Sequence, residues 1–196
     1  MAQTSSKRPG YAEGREALLA AAARVVAREG FGGLTYRSVA EQAGTTHGLV
    51  SYHFGSRDKL IHETVMRARH EAIERAWLTP ASGRLEDFSS GLSQLVTEAP
   101  EDQVLQFELA LESRRRAELV PEVRALYDEY LSVTKEALES FGIEADDALA
   151  RLVFAALDGL TLQQLIYEQP EQTDRAVEAL HDLLGRLAKR RRRASR

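Results

Sequence analysis

Apolar residues recur at helical spacing along nearly the whole of this chain. Between residues 11 and 29, Leu18, Ala22, Val25 and Val26 fall on one face. Gly30-Phe31-Gly32-Gly33 then stops the run, glycine being the residue that accepts the left-handed conformation past a helix end. Thr35 is placed to cap a short helix through Ala43, with Val39, Ala40 and Ala43 inward. Gly44 and Thr45 turn the chain, and Thr46 caps a second short helix to about Phe54. Ser56 caps a longer one carrying Leu60, Ile61, Val65, Met66 and Ile73. Beyond the Ala81-Ser82-Gly83 break the pattern predicts helices near 85–98, 101–116, 121–141, 146–168 and 172–190, and no segment alternates as a strand does. The last two have the broadest apolar stripes: Leu149, Leu152, Val153, Ala156, Leu157 and Leu160 in one, Val177, Leu180, Leu183, Leu184 and Leu187 in the other. Such stripes pack inside a fold or pair with a copy of themselves. The expected class is all-α, with about nine helices.

Charge changes the picture because it is segregated. The net charge of −4 over 196 residues hides +3 in residues 1–76, −14 in residues 77–185 and +7 in residues 186–196. A basic head on an acidic body implies that only the head meets a polyanion. Cysteine is absent, which removes disulfides, thiolate metal sites and thiol nucleophiles and is compatible with a reducing compartment. Met1 to Gly10 is polar, and the longest unbroken apolar run, Ala17 to Ala23, is far short of a membrane span. A cytoplasmic protein with no membrane partner is therefore expected.

Two short helices joined by a tight turn and preceded by a supporting helix form the arrangement that sets a second helix into the DNA major groove. Within Thr46-His47-Gly48-Leu49-Val50-Ser51-Tyr52-His53-Phe54, Val50 and Phe54 lie one turn apart and are able to bury. His47, Gly48, Ser51 and Tyr52 are left on other faces, small or hydrogen-bonding residues suited to base edges and phosphates. The run from Leu34 to Gly44 and the run Gly48-Leu49-Val50-Ser51-Tyr52-His53-Phe54-Gly55-Ser56-Arg57-Asp58-Lys59-Leu60 resemble the second helix and turn, and the recognition helix with the start of the fourth helix, of the TetR family of repressors. The motif match covers residues 15–65, about a quarter of the chain.

Taken position by position, the resemblance implies Thr35 at a helix N-terminus facing a phosphate, and Thr46, His47 and Gly48 toward bases. Tyr52 and His53 would meet the backbone or a thymine methyl. Arg57 stands where the family commonly has lysine, at a phosphate that arginine could bind through two oxygens. Thr45, Leu49 and Ser51 complete the expected DNA face, Ser51 standing where the family often has an aromatic. Arg37 reads equally as phosphate-facing or solvated, His47 as a base contact or a solvated turn residue, and His53 as a phosphate contact or a core histidine. His62-Glu63 and His70-Glu71 lack the paired-histidine spacing of a metal site and read as exposed polar residues. Arg114-Arg115-Arg116 and the run Arg190 to Arg193 read as solvated charge.

The resemblance further implies a small-molecule pocket among the middle helices and a homodimer. Phe88, Leu92, Leu95, Phe107, Leu111, Tyr127, Tyr130 and Phe154 are the candidate lining, with Trp77, Leu105 and Leu126 nearby in the same set, and the acidic body favours neutral or cationic compounds. Leu149, Leu152, Val153, Ala156, Leu160, Val177, Leu180 and Leu184 are the candidate dimer interface. The expected organisation is a flexible arm (1–10), a three-helix helix-turn-helix head (11–71), a ligand-binding and dimerisation body (72–190) and a basic tail (191–196). Its partners would be a near-palindromic double-stranded operator, a second copy and a small effector, with no metal or cofactor. The competing class is an all-helical carrier or enzyme with an incidental helix-turn-helix. It requires a catalytic constellation, and with one histidine, His181, beyond residue 76 none is found. Repressor and activator remain alternatives on the same head.

Overall fold

The computed structural model describes the backbone at residues 11–74 and 82–194 and side chains at 13–68 and 82–188; Trp77 and the side chains of His70, Glu71 and 190–193 lie outside these. Nine α-helices and no strand occur among the described residues: α1 (Tyr11–Gly33), α2 (Tyr36–Ala43), α3 (His47–Phe54), α4 (Arg57–Glu74), α5 (Leu92–Glu98), α6 (Pro100–Glu112), α7 (Val120–Ser140), α8 (Asp147–Tyr167) and α9 (Pro170–Ala194). Short 3-10 turns stand at Leu85–Asp87 and Ala117–Leu119.

Local chemistry sets the head's boundaries. Gly30, at φ 69, breaks α1 where the glycine run begins. Thr35 caps α2 through a reciprocal pair with Ser38, and Gly44 closes it in the left-handed region at φ 65, returning its N–H to Ala40 and Glu41 carbonyls. Thr46 Oγ1 accepts from the Leu49 N–H at 3.3 Å to start α3, and Ser56 Oγ accepts from the Lys59 N–H at 3.1 Å to start α4.

Two apolar clusters hold the chain together. The first joins Leu18, Ala22, Val25 and Val26 of α1 to Val39, Val50, Phe54, Leu60, Ile61 and Val65, and it also includes Leu105 and Leu109 of α6 and Leu119. The head's core is therefore shared with the body: α6 closes it, packing along α1. The second cluster, built on Phe88, Leu126, Tyr130, Leu138, Val153, Leu157, Val177 and Leu184, belongs to the body. Salt bridges Arg15–Glu63 and Arg67–Glu16 tie α1 to α4.

Three expectations change. The helix over 85–98 is a 3-10 turn, a bend and then α5. His181 of α9 donates through Nε2 to the Phe88 carbonyl at 2.6 Å, taking an acceptor that a continuous helix would use internally, and Ser89 sits at φ 56. The helix expected to reach 116 ends at Glu112, and Arg116 is not merely solvated: it bonds Glu112 at 3.0 Å and reaches Asp58 of α4 at 3.7 Å, joining body to head. Finally, α9 continues to Ala194, so residues 191–194 extend a helix where a tail was expected.

Candidate nucleic-acid interface and effector site

On α3 the inward positions are Val50, His53 and Phe54. The outward ones are His47, Gly48, Leu49 and Tyr52, the last 72% exposed, with the Thr46 cap exposed beside them. Thr45 and Ser51 are half-buried at the edges of this strip. His53 is the exception among the residues expected on the DNA face. Only 8% of it is exposed, its Nε2 lies 3.9 Å from the position of a Cβ at Gly14, and its ring meets Tyr52 edge-on at 5.5 Å. It lies between α3 and α1.

Two further residues are engaged within the protein. Arg57 donates from Nε to the Leu34 carbonyl at 2.8 Å and from Nη2 to the Phe31 carbonyl at 2.9 Å, closing the α1–α2 junction. Arg37 pairs with Glu41 at 2.9 Å, both largely exposed, so the pair is worth little and is open to exchange for a phosphate. Thr35 is exposed, its hydroxyl occupied by its own cap.

In the body, α6, α7 and α8 bring Gln106, Tyr127, Tyr130, Phe154 and Asp158 together. Tyr130 and Phe154 stack at 5.2 Å with planes 24° apart, and Tyr127 stands edge-on to Phe154 at 5.7 Å and to Tyr130 at 6.4 Å. The Tyr130 hydroxyl donates to Gln106 Oε1 at 3.0 Å. Burial, with the Asp158 charge second, pushes the Tyr127 phenol up to about 12, and burial likewise raises Tyr130 and the Asp158 carboxyl. Phe88 and Leu92 are buried in the same cluster, while Leu95 and Phe107 are half-buried. Leu111, expected in the lining, points outward. Sequence reasoning passed over Asp158 and Gln106. The available signal was an acidic residue one turn after Phe154 within an otherwise apolar helix.

The dimer stripes resolve into two sets. Val153, Val177 and Leu184, the last 2% exposed, face the chain's own core and are not available to a partner; Leu149, Leu160 and Leu180 pack partly against it. Leu152 (67% exposed) and Ala156 do face outward; Leu183 and Leu187 of the α9 stripe join them, as do Leu162, Ile166 and Tyr167, which the stripe on 146–168 had not included. Because both its faces are apolar, α8 is the one helix among the described residues long and apolar enough to cross a membrane; Asp147, Arg151 and Asp158 interrupt it.

More than half of the chain, residues 83–189, matches the family described as "Tetracyclin repressor-like, C-terminal domain", and residues 18–64 match "Bacterial regulatory proteins, tetR family". The chain belongs to the TetR family. One relative, the HTH-type transcriptional repressor AcnR of Corynebacterium efficiens, is 30% identical over 124 residues, which are 63% of this chain and 61% of that protein's length. Among solved structures, the multidrug binding protein EbrR complexed with proflavin is 28% identical, with 89% of this chain and 99% of that one covered at a TM-score of 0.59. A transcriptional regulator from Rhodococcus sp. Rha1 shares the fold at a TM-score of 0.73 and 21% identity over 89% of this chain and 96% of that one.

Proposed function

We propose that this TetR-family protein is a sequence-specific DNA-binding regulator that occupies a near-palindromic operator as a homodimer and leaves it when an effector enters the body. It acts in the cytoplasm, by binding alone and without turning over a substrate. The observation that carries this is the outward strip of α3: a capped helix seated on its core by Val50, His53 and Phe54 that shows the donors Thr46, His47 and Tyr52, a close-approach position at Gly48 and the apolar Leu49, with no acidic side chain among them. The exposed apolar stripes of α8 and α9 supply the surface for a second copy, and two-fold pairing would set two recognition helices on one duplex. AcnR is named a repressor and EbrR a multidrug binding protein, which favours repression relieved by a small molecule.

Body and head are joined so that one is able to move the other. Leu105 and Leu109 of α6 lie in the head's core, and Arg116 reaches Asp58, so a shift of α6 on ligand entry would tilt the recognition helix. Linkage then requires operator to weaken effector binding by the factor by which effector weakens operator binding. The test is selection from a random duplex pool followed by titration at several salt concentrations. A two-fold consensus with steep salt dependence is expected, and no enrichment over nonspecific binding at moderate salt would overturn the proposal.

A further inference from the structure

Resting on the effector-responsive reading above, we infer that the effector is an apolar organic monocation, received against the rings of Tyr127 and Phe154 and paired with the Asp158 carboxylate. Three rings from α7 and α8 form a corner: Tyr130 and Phe154 lie nearly parallel, and Tyr127 stands across Phe154 at 87°. Ring faces carry the negative part of the aromatic quadrupole, and a cation lying over a face in a partly dry site is attracted to it. Asp158 follows Phe154 by one turn on α8 and so shares its face, and its charge reaches the phenols of both Tyr127 and Tyr130.

Burial is the influence that perturbs Asp158, and among the described residues no lysine or arginine pairs with it. A half-buried acid left so is costly, and a ligand that brings positive charge recovers that cost, whereas a neutral ligand deepens it and an anion is repelled. Tyr130 is buried and its hydroxyl is occupied by Gln106, which makes it the floor. Tyr127, Phe154 and Asp158 are each half-buried, which leaves them as an accessible rim. The −14 charge of residues 77–185 adds a field that draws cations to the body.

The test uses the full chain and two probes of one shape, the permanent cation 10-methylacridinium and acridine, which is neutral at neutral pH, each followed by fluorescence titration. The cation is expected to bind at least about tenfold more tightly. Asp158→Asn, near-isosteric, is expected to abolish that preference, with circular dichroism reporting that the helices are retained. Equal affinity for the two probes in the wild-type protein, binding of neither, or a preference that survives in Asp158→Asn would each overturn the assignment. The comparison of probes on the wild-type chain needs no variant to fold. A protein that binds its selected duplex and is released by acridine as well as by methylacridinium loses the cation assignment and keeps the regulatory reading. One that enriches no duplex loses the regulatory reading, whatever the probes do.

Discussion

Helices α3 and α8 face the same requirement, one side toward the protein's own core and the other outward, and they meet it with opposite surfaces. On α3 the inner side holds Val50, His53 and Phe54, and the outer side, beside the Thr46 cap, His47, Gly48 and Tyr52 with Leu49 as its one large apolar residue. On α8 the inner side includes Thr161 and Gln164, whereas Leu152, Leu162 and Ile166 stand outside. Polar groups are tolerated inside because each is bonded: Thr161 Oγ1 donates to the Leu157 carbonyl at 3.0 Å, and Gln164 Oε1 accepts from Thr173 Oγ1 at 2.6 Å. On the proposed reading the α3 strip meets a duplex, which offers acceptors, donors and charge, so it must bond; the α8 stripe meets a second copy, which offers hydrocarbon, so it must shed water. What an exposed strip is made of, more than the fact of its exposure, tells what covers it.

The largest effect is expected from breaking the α8 surface. Ile166→Glu places a charge in each half of the proposed two-fold contact and should cost about 3–5 kcal/mol of dimer stability, seen as monomer in sedimentation with helicity retained. Leu184→Glu, by contrast, should unfold the body, because Leu184 is core. A dimeric Ile166→Glu protein at micromolar concentration would mean that the outer stripe covers something other than a copy.

Arg57→Ala comes next. Two carbonyls lose a charged donor, so the melting curve should report a loss of about 1.5–3 kcal/mol, with Arg57→Lys recovering part of it. An unchanged melting curve together with a salt slope shallower by about one unit would place Arg57 at a phosphate instead. His47→Ala should leave stability alone and cost about 1–3 kcal/mol on the selected operator, relaxing preference at one position in each half-site. Uniform weakening on all sequences would show that the outer strip of α3 is oriented differently. The smallest change is expected from Thr46→Ala, about 1 kcal/mol of stability, since the Leu49 N–H alone loses its cap.

Much of the head is legible in the sequence, and for local reasons. Thr35, Gly44, Thr46 and Ser56 act on backbone groups within a few residues of themselves, so the caps and the turn follow from the order of residues. The partners of Arg57 and His53 were not legible, because they lie on α1 and the turn that follows it, well apart in sequence. The same limit applied to the break at Phe88: nothing near it signals that His181 takes its carbonyl.

Sequence by itself determined the all-helical class, the helix-turn-helix and the segregation of charge, since periodicity, capping and composition are properties of neighbours along a chain. Tertiary structure decided which of two adjacent apolar residues faces inward, Leu184 and not Leu183, Val153 and not Leu152. Where a helix is apolar on both sides its own periodicity names no inner face; contact with α5, α7 and α9 does so for α8. The meeting of Tyr127, Tyr130, Phe154 and Asp158 was decided in the same way, for a carboxylate acquires its surroundings only when separate helices close around it.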